Sequence, residues 1–139
     1  MSMTDYLSEA FHIDLRIEAK LQQVEVLRSL AAKATTTYGV EPVSGTRDVH
    51  RREEIICKII ALQAEINADI DNLVDTKREL RAVIESVKNV DYRTVLELRY
   101  LNFRKWEQIA VQMGYTNRNV HYLHDRAIEY LEKNSMQQS

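Results

Sequence analysis

From about Asp5 to Lys33 the apolar residues Leu7, Phe11, Leu15, Ile17, Leu21, Val24, Leu27, Leu30 and Ala31 recur mostly at steps of three and four. That spacing gathers them on one side of a helix and predicts a single amphipathic helix. Thr35, Thr36 and Thr37 weaken its end, because β-branched side chains lose rotamer freedom in a helix. The stretch from Tyr38 to Thr46 holds the only proline and two of the three glycines. It reads as a flexible connection over about residues 38–47. From about Arg47 to Val87 a longer helix is predicted. Ile59, Ile66, Leu73, Leu80 and Val87 recur every seven residues there, with Leu62, Ile70 and Ile84 on the same stripe. A sustained seven-residue repeat is the pattern of helices packed nearly parallel to one another.

The first two helices are therefore expected to fold back on each other as a long, coiled-coil-like hairpin over residues 1–88. At 1.5 Å per residue the second helix is roughly 60 Å long, and the shorter first helix cannot cover it. The uncovered apolar stripe must meet either the C-terminal part of the chain or a second copy. A homodimer through the N-terminal helices is the corresponding expectation. The remaining surface, including Glu53, Glu54, Lys58, Glu65, Asp69, Asp71, Asp75, Lys77, Arg78 and Arg81, reads as a solvated face.

After Val87 the pattern changes to short segments. Asp91 is a suitable N-cap for a helix over about Tyr92–Leu101, since its carboxylate accepts free backbone N–H groups. Asn102-Phe103-Arg104 ends that helix, and another spans about Lys105–Met113. Gly114-Tyr115 makes a turn, where glycine tolerates a positive φ. Thr116 caps a last helix to about Lys133, and the polar tail from residue 134 on is expected to fray. Two short helices joined by a tight glycine turn form the helix-turn-helix pattern, whose second helix presents its first residues to base edges in the major groove. Ile109, Ala110 and Met113 supply the inner face of its first helix. Val120, Leu123, Ala127, Ile128 and Leu131 supply that of its second. Leu96, Leu98, Tyr100, Leu101, Phe103 and Trp106 close the small core.

These residues also carry a family resemblance. Val95-Leu96-Glu97-Leu98-Arg99-Tyr100 resembles the opening of region four of bacterial sigma factors. The run from Trp106 to Thr116 resembles its helix and turn, and Asn117 to Leu131 its recognition helix. The similarity covers about 40 residues. The whole layout is similar to small sigma-like proteins of phages and prophages of Gram-positive bacteria. The resemblance implies a DNA-binding transcription regulator, with double-stranded DNA and RNA polymerase as partners. The chain is too short for the parts of a sigma factor that melt DNA. It also departs from the family where bases are read. The arginine-rich start of the recognition helix is replaced by Asn117, Arg118, Asn119, His121, Tyr122 and His124. Arg118 suits guanine and Asn117 or Asn119 suits adenine, while His121 and Tyr122 suit phosphates or thymine methyls. Arg104, Lys105, Arg118 and Arg126 suit phosphates. With Thr116 at the helix start, these make up the expected DNA-facing set.

Composition agrees with an all-α protein: of 139 residues three are glycine and one proline, and 45% are hydrophobic. The net charge of −2 is unevenly spread. Residues 1–87 carry 11 Lys and Arg against 15 Asp and Glu, and residues 88–139 carry 8 against 6. The positive balance lies on the side expected to meet DNA. Cys57 is the only cysteine, so no intrachain disulfide forms, and a buried structural role is expected for it. No apolar run is long enough for a membrane span and no secretion signal is evident, which points to the cytoplasm. No phosphate loop or serine elbow is present, and the carboxylates of the second helix lack Glu-x-x-His pairs, so neither an enzyme nor a cofactor or metal site is expected. His121 and His124, three apart, lack further ligands. The expected organisation is a helical hairpin over 1–88, a three-helix DNA-binding domain over 89–134 and a disordered tail over 135–139. Two rivals differ in class: an adaptor that binds RNA polymerase without reading DNA, and a packaging subunit resembling small terminases.

Overall fold

The computed structural model describes residues 1–38 and 45–137. Every regular element among them is helical: α1 (Met3–Leu7), α2 (Glu9–Tyr38), α3 (Gly45–Glu85), α4 (Val90–Leu96), a π-helical turn (Glu97–Leu101), α5 (Trp106–Met113) and α6 (Asn117–Gln137). The all-α expectation holds. Parts of the expected connection at 38–47 lie in α2 and α3, and its middle falls outside the described residues. The threonines do not end α2, which continues to Tyr38. Nor does the polar tail stop α6, which runs to Gln137.

The predicted first helix is two helices. Ser2 caps α1 by accepting the Asp5 N–H at 3.1 Å, and the Asp5 carboxylate accepts the Ser2 N–H at 3.4 Å. The chain then bends at Ser8 before α2.

The chain divides into two compact units, one of Met1–Ile13 with Leu73–Ser139 and one of Asp14–Asn72. In the second unit the buried positions are Ile17 and Val24 on α2 and Ile55 and Ile66 on α3. Ile59, Leu62 and Asp69 are half-buried on the same stripe of α3, and Lys20 and Leu27 on that of α2. The stripe therefore passes through Asp69 and not Ile70, which is 41% exposed. The reason is ionic. Lys20 Nζ donates to Asp69 Oδ2 at 2.6 Å and stands 3.8 Å from Glu65, so α2 and α3 present opposite charges to each other at an otherwise apolar step. Leu15, Leu21 and Leu30, expected on the buried side of the first helix, are exposed. Cys57 is also exposed, contrary to the buried role expected for it. It falls two residues past Ile55, away from the seam.

The first unit is built on two apolar clusters. Leu7, Ala10, Leu80, Ile84 and Val87 pack with Leu96, Tyr100, Leu101, Ala127, Ile128 and Leu131. Val95, Leu98, Ile109, Ala110 and Val120 form the other cluster, with Trp106, Met113 and Leu123 against it. A division at residue 88/89 would cut through the larger cluster, because Leu80 and Ile84 at the end of α3 and Val87 just after it are fully buried within that cluster. Val95 and Leu98 face the smaller cluster while Leu96, Tyr100 and Leu101 face the larger, and the π-helical turn closes behind them with Asn102 N–H on Glu97 O at 3.0 Å.

Candidate nucleic-acid interface

Three local devices fix α4, α5 and α6. Asn89, not Asp91, caps α4, accepting the Tyr92 N–H at 3.1 Å. Both residues are competent caps by type. Asp91 is instead free to accept the Tyr115 hydroxyl at 3.0 Å, which ties the α5–α6 turn to α4 and raises the Tyr115 pKa. Gly114 ends α5 in the left-handed region at φ 74°, and Tyr115 N–H returns to Ala110 O at 3.0 Å. Thr116 caps α6, accepting the Asn119 N–H at 3.1 Å. The turn is therefore three residues long, with glycine and threonine at the places the sequence assigned them.

The entry to α5 uses a less common residue. Phe103 takes a positive φ of 56°, after Asn102 has ended the π-helical turn. The Arg104 N–H then reaches Leu98 O at 2.9 Å, closing the carbonyl end of the turn. A non-glycine residue there carries strain, and its ring is held by Phe11 at 5.7 Å and by the Lys77 ammonium 4.6 Å above it. The Lys105 N–H donates to Gln108 Oε1 at 3.0 Å, satisfying one free donor at the start of α5.

On α6 the pattern of burial sorts the expected reading residues. Asn117, Arg118, His121, Tyr122 and Arg126 are exposed, Asn119 is half-buried, and Thr116 is exposed at the turn. Positions 118, 121, 122, 125, 126 and 129 repeat at three and four and share one outward face. Arg104 and Lys105, both exposed, lie in the segment before α5. Among the described residues no carboxylate comes within ion-pair distance of Arg104, Lys105 or Arg118. Arg126 is different: Glu129 stands 3.5 Å from its guanidinium, and the Tyr122 ring lies 5.2 Å beneath it.

His124 does not join the outward face. It is 8% exposed, one helical turn from Val120 and Ile128 on the buried side. Its Nε2 meets the Tyr100 hydroxyl at 2.5 Å, and its Nδ1 stands 3.4 Å from the Asp125 carboxylate. The carboxylate favours a proton on Nδ1, so Nε2 accepts the Tyr100 hydroxyl proton. Burial lowers the His124 pKa and, with Asp125 opposing and Arg99 and His121 adding to the fall, keeps the ring neutral. Burial pushes the Tyr100 hydroxyl up to about 12. Both groups are neutral hydrogen-bonding partners near pH 7.

Trp106 packs on the smaller cluster, as expected for a core aromatic, yet it is only half-buried. The Arg99 guanidinium lies 4.4 Å from its ring centroid, with His121 at 4.5 Å and His124 at 4.9 Å. Arg99 also donates to Arg104 O at 3.1 Å. Arg99 was absent from the expected set. No local spacing marks it, because its partners come from later helices. The cluster of Arg99, Trp106 and His121 places a planar cation, an indole and an imidazole together beside the exposed start of α6, which suits contact with phosphates and base edges.

A protein family described as a protein of unknown function (DUF1492) matches residues 32–132. No curated protein matches, and no solved structure does. Among the described residues no helix is long and apolar enough to cross a membrane.

Proposed function

The chain belongs to this family, DUF1492, and we propose that it is a DNA-binding transcription regulator whose α5–turn–α6 segment acts as a helix-turn-helix. The observation that carries the reading is the start of α6. A three-residue turn with a left-handed Gly114 and a Thr116 cap leads into a helix. That helix exposes Asn117, Arg118, His121 and Tyr122 while burying Val120, His124 and Ala127. Such a helix fits the major groove with its first two turns against base edges. Arg118 offers a bidentate donor pair to guanine, and Asn117 the complementary pair to adenine. Arg104 and Lys105 serve phosphates. The resemblance to sigma region four, and to small phage and prophage sigma-like proteins, points the same way for the backbone and core. It does not supply the base preference, since the reading residues differ.

The test is selection of bound sequences from random duplexes at several salt concentrations. Enrichment of a motif is expected, and Arg118→Ala should then weaken binding to that motif by about 1–3 kcal/mol while sparing random duplex. Equal losses on motif and random DNA would remove Arg118 from base reading. The absence of any salt-sensitive binding would remove the regulator reading itself.

One observation favours a second reading, an adaptor that binds RNA polymerase without reading DNA. Glu129 partly neutralises Arg126 on the outward face of α6. In that case Glu129→Gln strengthens DNA binding where none was measurable before, and purified polymerase binds the chain without DNA.

A further inference from the structure

One residue beyond the buried stripe of α3 runs a second stripe that is exposed. Ile56, Ile60, Gln63, Asn67, Ile70 and Val74 follow one another at steps of four and three along the single helix α3. Ile56 is 42% exposed, Ile60 64%, Ile70 41% and Val74 52%. Gln63 and Asn67 are exposed at the centre. Four aliphatic side chains on one helix face, flanking two amides, do not belong in water by chance of composition.

The order of the stripe is chemically palindromic about position 65. Read from either end it runs aliphatic, aliphatic, amide, amide, aliphatic, aliphatic. The next residue outward at one end is Glu53 and at the other Lys77, so the ends carry opposite charges. A surface that meets its own copy across a twofold axis must be self-complementary in this sense. From these relations we infer that α3 binds α3 of a second copy of this chain, antiparallel, with the axis near Glu65. Ile56 then packs on the partner's Val74 and Ile60 on the partner's Ile70. Gln63 faces the partner's Asn67, and Glu53 faces the partner's Lys77. A parallel pairing would set Glu53 on Glu53 and Lys77 on Lys77, with like charges together at both ends.

The amides set the register. Within the chain Gln63 Nε2 donates to Asn67 Oδ1 at 3.4 Å. The Gln63 carbonyl and the Asn67 N–H groups have no partner among the described residues, and each is what the other needs across the axis. A slip of one heptad would bury both amides against aliphatic side chains, leaving them unsatisfied. Lys77 keeps its place 4.6 Å above Phe103, because an ammonium has three N–H donors and only one need turn to a carboxylate.

Sedimentation velocity of the full chain without DNA tests the dimer, so its outcome does not depend on the DNA-binding reading. A twofold mass is expected at about 10–100 μM protein, the range suited to a short helix-pair contact. Ile60→Glu should raise the dimer dissociation constant on the order of 100-fold, since it enters the interface twice. Its far-ultraviolet circular dichroism should stay that of the parent, because position 60 is exposed. Glu53→Lys alone should weaken the dimer, and Glu53→Lys with Lys77→Glu should restore it. Direction is read by cross-linking in a Cys57→Ser background. A mixture of Ile60→Cys and Ile70→Cys chains should oxidise mainly to the 60–70 heterodimer. A monomeric parent chain, an Ile60→Glu chain that remains dimeric, or a predominance of 60–60 and 70–70 products would overturn the inference.

Discussion

Tyr100→Phe removes one oxygen from the middle of the first unit, and its cost can be worked from the contacts. Tyr100 is 5% exposed and His124 8%. The hydroxyl is the partner of His124 Nε2 at 2.5 Å. A net neutral hydrogen bond contributes about 0.5–1.5 kcal/mol, but a buried acceptor left without a donor costs about 1–3 kcal/mol. With so little water access, the second figure applies, and about 2 kcal/mol is expected. That corresponds to roughly 6–12 °C in Tm for a chain of this size. Replacing His124 as well, as His124→Leu, removes the orphaned nitrogen. The double variant should therefore be less destabilised than the two single variants added together, with a coupling of about 1–2 kcal/mol. Urea unfolding followed by tryptophan fluorescence is the assay, because Trp106 is the only tryptophan and its ring lies 4.9 Å from His124. Additive losses within about 0.5 kcal/mol would refute the reasoning, since they would mean that hydroxyl and imidazole do not act as a pair.

The same histidine gives a pH dependence. Its pKa is lowered in the folded chain from 6.5, so the unfolded chain binds the additional proton and stability rises with pH. Stability should be level with respect to this group above about pH 6.5 and fall as pH drops below it, with Tyr100, Asp125, Arg99 and His121 as the neighbouring groups. In His124→Leu that part of the slope should vanish, and an unchanged Tm-against-pH curve would count against it. Gly114→Ala should cost about 1–2 kcal/mol from the left-handed backbone alone, because an added Cβ meets nothing within 4 Å. Gly114→Asn should cost less, and equal losses in urea melts would mean that φ is not the cause. Lys20→Met leaves the half-buried Asp69 without its ammonium. With both side chains 23% exposed, solvent screening limits the loss to about 1–2 kcal/mol. Lys20→Met with Asp69→Leu should recover at least the parent stability, and failure to do so would show that the ions contribute more than their desolvation costs.

Legibility from sequence followed the range of the interactions. Gly114 and Thr116 were readable because a left-handed turn and an N-cap are decided within four residues. The buried face of α6 was readable from Val120, Ala127, Ile128 and Leu131, but His124 was assigned outward on its polarity. Its place in the 120–124–127–131 spacing argued otherwise, and its partner Tyr100 lies 24 residues away. Asn89 and Asp91 are equal candidates by type, and only the Tyr115 hydroxyl separates their roles. Ile70 was preferred to Asp69 on hydrophobicity, although Asp69 has the regular spacing. The ion that makes Asp69 acceptable at that step, Lys20, is 49 residues distant. Arg99 at Trp106 and the π-helical turn left no local trace, since neither depends on a distinctive residue type.

That π-helical turn has a genetic consequence. Relative to an α-helix, its closure from Asn102 N–H to Glu97 O encloses one additional residue. Removing a single codon between positions 97 and 101 would leave a backbone able to close as ordinary α-helix, so the local geometry would not forbid it. The Asn102 N–H would then meet the same Glu97 carbonyl as an ordinary α-helical bond, so the segment after Asn102 would keep its direction. A one-codon deletion here is absorbed by the turn, whereas the same deletion in the middle of α5 turns everything after it by about 100° and draws it back by about 1.5 Å.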